Sequence, residues 1–142
     1  MADRLGYGPF RPLLVENYNL REIINNIGRS LCDMNYDREI RMKVWTILDQ
    51  LIDLGNLVIA RLDGNERFDS IKNYYQSEMD KIRQQIGAIL NKLNPELERQ
   101  RGLANIDQKL VGELERIIKN LQAIRDGQPQ LKLYYAVYLF VI

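Results

Sequence analysis

Asp49 and Asp53 stand four positions apart in a run whose apolar residues recur at helical spacing, so both carboxylates fall on one helix face. Two carboxylates placed this way can hold a hard cation or divide acid and base roles between them. No further ligand at a metal-binding spacing accompanies them. With Thr46, Gln50 and Asn56 close by, a solvated helix face is the simpler account. "DGNERFDS" at 63–70 is rich in oxygen ligands, but Gly64 comes second where a calcium loop needs its glycine at about the sixth position. Gly6-Tyr7-Gly8 lacks the third glycine and the preceding strand of a phosphate cradle. The chain has no histidine, which removes the commonest general base and the commonest transition-metal ligand. Cys32, with no histidine to activate it, is expected to be a small buried hydrophobe. Arg38, Arg41 and Lys43 could meet a phosphate or an acidic partner. Asp37 and Glu39 interleave with them, however, which favours an exposed face of mixed charge. The expectation is a protein that is not an enzyme, with no catalytic residue, cofactor, metal site or small-molecule substrate.

Composition narrows the remaining classes. Of the 142 residues, 46% are apolar and 27% charged, which suffices for one domain with a hydrophobic core of its own. Net charge is +1 with the signs interspersed, so the basic footprint of a nucleic-acid binder is missing. A single cysteine permits no intrachain disulfide. "MADRLGYGPF" has no apolar core of signal-peptide type, and no run reaches the roughly 18 apolar residues of a membrane span. Asn-x-Ser/Thr sites are lacking too. The expected location is a virion or the cytoplasm, not the secreted space or a membrane.

The elements that must carry these residues are helical. Residues 1–18 read as an extended N-terminal arm, because Gly6, Gly8, Pro9 and Pro12 break any helical period. Residues 19–127 read as a helical bundle domain. Its first helix starts at Asn19, a potential cap with Glu22 three residues on, and carries Leu20, Ile23, Ile24, Ile27 and Leu31. "DMNYD" at 33–37 reads as a turn or re-capping point. A second helix is expected over 38–62, stopped by "DGN" at 63–65, and a third over 66–93, stopped by Asn94-Pro95. The third has a seam from Phe68 through Ile71, Tyr75, Met79, Ile82, Ile86 and Ile89 to Leu93, in steps mostly of three and four. One or two turns follow at 96–102, then a fourth helix over 106–125 with Ile106, Leu110, Leu114, Ile117, Leu121 and Ile124. Interior glycines Gly28, Gly55, Gly87 and Gly112 mark either close helix crossings or plain tolerance. Trp45 lies off its helix's main stripe, as an interface anchor or as a widening of the core face.

Residues 128–142 contain "QLKLYYAVYLFVI" at 130–142, read as a C-terminal β-strand tail. One face of such a strand is Leu131, Leu133, Tyr135, Val137, Leu139 and Val141. The other is Lys132, Tyr134, Ala136, Tyr138, Phe140 and Ile142, so neither face is polar. A strand of this kind needs its backbone groups paired, and the one candidate partner in the chain, 11–15, is interrupted by Pro12. The expected fold is therefore mainly α: an antiparallel helical bundle of long amphipathic helices, with an extended arm before it and a strand after it. The expected role is a structural assembly subunit bound to other protein subunits through its termini, for example a minor capsid, cement or tail component of a virus particle. Its interface residues would be Phe10, Leu13, Leu14, Trp45, Leu133, Tyr134, Tyr135, Val137, Tyr138, Leu139, Phe140 and Val141. The alternatives are a cellular adaptor pairing its third helix with a partner helix, a small helical enzyme using carboxylates, and a membrane-active oligomer with a shared barrel.

Overall fold

A computed structural model describes residues 20–127, apart from Arg21 and Asn65. The expected arm, the expected strand and every expected interface residue except Trp45 lie outside the described residues. Within them the chain is mainly helical: α1 over residues 22–33, α2 over Arg38–Asp63, α3 over Phe68–Arg101 and α4 over Gln108–Gly127.

α2 and α4 form where an apolar stripe coincides with a capping carboxylate, whereas α3 starts at Phe68 after Arg67 with no side-chain cap. Asp37 precedes α2, and its Oδ2 accepts the backbone N–H of Ile40 at 3.0 Å, satisfying one of the donors a helix start leaves open. Asp107 does the same for α4, with Oδ1 accepting from Leu110 N–H at 3.1 Å. That cap sets the start of α4 at Gln108. Ile106, expected to open the stripe, lies instead in the turn and is 41% exposed. Asn94-Pro95 does not end α3, contrary to expectation. The helix runs through Pro95 to Arg101, where the Gly102 N–H closes it on the Glu98 and Arg99 carbonyls at 3.1 and 3.2 Å. A proline inside a helix forfeits one hydrogen bond and crowds the preceding turn. Buried Leu90, Leu93 and Leu97 carry the stripe across the site, and burying each such side chain stabilises by about 1.5–3 kcal/mol. Packing on both sides of Pro95 thus outweighs the local break.

The stripes converge on one core running from Leu20 in the first helix to Ile124 in the last. α3 is its axis and packs against both α2 and α4. Its whole seam from Ile71 to Leu93 is buried in this core. α1 closes the remaining side. The Trp45 ring packs there on the core's edge, 3.4 Å from where a Cβ on Gly28 would lie. Gly28 therefore sits at a close crossing, whereas Gly55 and Gly87 face open space and permit a side chain. Cys32 is exposed, not buried as expected. The buried positions at the end of α1 are Ile27, Ser30, Leu31 and Met34, and Cys32 lies one step round the helix from them.

Electrostatic links fasten the ends. Glu96, next to Pro95, receives hydrogen bonds from Arg99 Nε at 3.1 Å and Gln100 Nε2 at 3.0 Å, and also from the Tyr36 hydroxyl in the α1–α2 turn. The Arg99 guanidinium is the chief reason its carboxyl is held down at about 2. Burial opposes this, and the Gln100 and Tyr36 donors reinforce it. Burial foremost, and then Glu96, push the Tyr36 hydroxyl above its usual range. Arg101 reaches from the end of α3 to Glu115 on α4, across the turn, at 2.5 Å. At the other end of α3, Arg61 lies over the Tyr74 ring, 4.2 Å from its centroid, and pairs with Glu66 at 3.6 Å.

Candidate interaction groove

Of the carboxylates singled out by spacing, Asp49 and Asp53 are both exposed on α2. Among the described residues no group of three or more His, Cys, Asp or Glu is placed to hold a metal ion. Arg38, Arg41 and Lys43 do not form a common cradle. Arg41 donates through Nε to the Tyr36 carbonyl at 3.0 Å, and Lys43 pairs with Glu39 at 3.3 Å. Trp45 is half-buried at the α1–α2 contact, beside Gly28.

The structure brings together a different set of residues. α2 and α3 leave a groove between them, formed by two adjoining hollows of about 340 and 370 Å³ that share Gln85. Residues facing each other across it run in opposite order: Lys43 lies with Lys92 at one end, and Leu57 with Tyr74 at the other. Ile47, Ala88 and Ile89 form an apolar floor in the first hollow, and Leu54 and Ile82 continue it in the second. The walls are uncharged in the middle, with Thr46 and Gln50 on α2 and Gln85 on α3. The ends differ in charge. Lys43 and Lys92 occupy one, where the neighbouring Lys43 ammonium lowers the Lys92 pKa. Asp53 and Glu78 stand at the other, Glu78 paired with Lys81 at 2.9 Å and Asp53 without an ion-pair partner among the described residues.

Gln50 is the one side chain here whose polar needs are unmet. Its Oε1 is buried and finds no donor among the described residues, although it lines the groove. An unpaired buried amide oxygen costs about 1–3 kcal/mol. Leu57, 39% exposed beside it, adds an apolar edge that water covers poorly.

A third hollow, of about 410 Å³, separates α1 from α4. Glu113 accepts from Arg116 Nε at 3.0 Å and Arg29 donates to Asn26, while Asp33 has no ion-pair partner among the described residues. Asn120 Nδ2 is taken up by the Arg116 carbonyl at 2.8 Å. Nothing here is left open in the manner of Gln50.

Sequence reasoning does not find the groove residues, since Thr46, Gln50, Gln85 and Ala88 are ordinary surface types. The available signal is weak. "QQIGAILN" at 84–91 is an uncharged stretch in a helix otherwise dense in charge. Set against known protein families, characterised proteins and solved structures, the chain has no match.

Proposed function

We propose that this protein is a structural assembly subunit: an antiparallel helical body whose terminal segments tie it to neighbouring subunits, as in a minor capsid, cement or tail component of a virus particle. The observation that carries the reading is the segment 131–142, apolar on both faces when extended, beside a described body that contains no strand to pair with it. Unpaired, such a segment would expose backbone donors and acceptors together with aromatic side chains, and would drive uncontrolled association. Specific engagement with another subunit removes that hazard and turns it into binding energy. The body suits a passive role. Asp49 and Asp53 are exposed on α2, and among the described residues no group of three or more His, Cys, Asp or Glu is placed to hold a metal ion.

Pairing of the third helix with a partner helix has less support, because the seam Ile71–Leu93 is already consumed by the body's own core. The test is the mass in solution of the full chain beside a chain ending at residue 129. Among the described residues the core runs from Leu20 to Ile124, and the shortened chain keeps every one of these. Assembly confined to the full chain supports the reading, and equal masses would refute it.

A further inference from the structure

We infer that the groove between α2 and α3 is the receptor for residues 131–142 of a second copy of this chain, an inference that rests on the assembly reading above. Three observations carry it.

The first is fit. From Lys43 to Leu57 the groove follows α2 for about 21 Å, at about 1.5 Å per residue. An extended segment covers that length with six or seven residues at about 3.3 Å each. The stretch from Leu133 to Leu139 has that length, and every second residue in it is apolar and able to face the floor of Ile47, Leu54 and Ile89.

The second is hydrogen bonding. The described body has no strand edge to offer, so an extended segment held by it must satisfy its backbone through side chains. Gln50 and Gln85 stand on opposite walls, each with an amide that both donates and accepts. The buried Gln50 Oε1 still needs a donor, and a backbone N–H of the incoming segment supplies one. That bond meets the Gln50 deficit and one of the segment's backbone donors, the Gln85 amide can meet another group, and the open side of the groove leaves the remainder to water.

The third is charge. Lys132 is the only charged side chain in 131–142, and it lies near one end of that segment. Asp53, near one end of the groove, lacks an ion-pair partner among the described residues. Setting Lys132 beside Asp53 fixes the direction in which the segment enters; the ten residues of α2 from there to Lys43 span about 15 Å, which Leu133 to Val137 cover past Ala88 and Ile89, with Leu139 emerging beyond the lysine end.

Mixing variants tests the assignment. Ala88→Arg, at an exposed helical position, fills the floor with a charged side chain and leaves the core untouched. Thr46→Arg blocks the opposite wall. Circular dichroism of each variant should match the parent. The full chain carrying either change should associate at least about tenfold more weakly than the parent by light scattering and analytical ultracentrifugation. The full-length Ala88→Arg chain still donates its segment, and the chain ending at 129 still has its groove. Mixed, these two should form a one-to-one complex that neither forms alone. Gln50→Leu should raise the unfolding midpoint of the chain ending at 129 while weakening that complex, a combination that a purely structural glutamine would not give. If the full chain assembles through its segment but Ala88→Arg and Thr46→Arg assemble as well as the parent, the groove is not the receptor and the assembly reading survives. A monomeric full chain, in which a peptide of residues 128–142 binds only the shortened chain, would place the segment in its own groove and overturn the second-copy assignment.

Discussion

Glu96 shows how one side chain can join two distant pieces of the chain. It accepts from Arg99 and Gln100 on its own helix and from Tyr36 in the α1–α2 turn. Its carboxyl titrates at about 2 in the folded chain, below the ordinary 4.5. A depressed folded pKa gives stability that is fully present above the unfolded value and is lost as pH falls toward the folded one. The window is therefore about pH 4.5 down to about 2. Urea unfolding of the parent should weaken progressively through that window, and Glu96→Gln should flatten the dependence while lowering stability at neutral pH. Glu113 poses the opposite problem. It is buried, and its partner Arg116 is largely exposed. Arg116→Ala leaves that carboxylate uncompensated and should cost about 1–3 kcal/mol in denaturant titration. Glu113→Met removes the charge at similar volume and should cost less than Arg116→Ala does.

At the scale of elements, α2 and α4 follow from stripes and caps, and α3 shows where that logic falls short. The spacing from Ile71 to Leu93 announces the helix, and Asn94-Pro95 announces its end. The first signal holds and the second does not, because Leu97 and Gln100 are buried just beyond it. Whether a proline ends a helix depends on what packs beyond it, and the local dipeptide carries no record of that. Pro95→Ala restores the missing hydrogen bond in an exposed stretch and should raise the unfolding free energy by up to about 3 kcal/mol, read from the shift in denaturation midpoint. A fall in stability would mean that the proline shapes the packing around Leu93 and Leu97. The limits of α2 were legible to within a residue, since Asp37 and the Asp63-Gly64 stop both act locally. Cys32 was misplaced because a buried stripe turns gradually, and a position next to Leu31 can fall on either side of it. The groove was illegible for a different reason. Gln50 and Gln85 become wall partners only once α2 and α3 have packed, and no spacing within either helix predicts the pairing across them.

On the scale of the whole molecule, the described helices share one core with the α3 seam inside it, and among the described residues no helix is long and apolar enough to cross a membrane. One face combines several unmet needs: the buried Gln50 oxygen, Asp53, half-exposed Leu57 and the apolar floor between α2 and α3. The segment 131–142 has complementary needs: apolar side chains to cover, a backbone to satisfy and a single lysine to pair. An account built on those two halves predicts that the protein works by association. The most direct measurement is the mass of the full chain by light scattering across a concentration series, beside the chain ending at residue 129. The account predicts a full chain that is dimeric or larger and a shortened chain that stays a folded monomer throughout. A full chain that is monomeric at the highest concentration, or a shortened chain that assembles equally well, would contradict it.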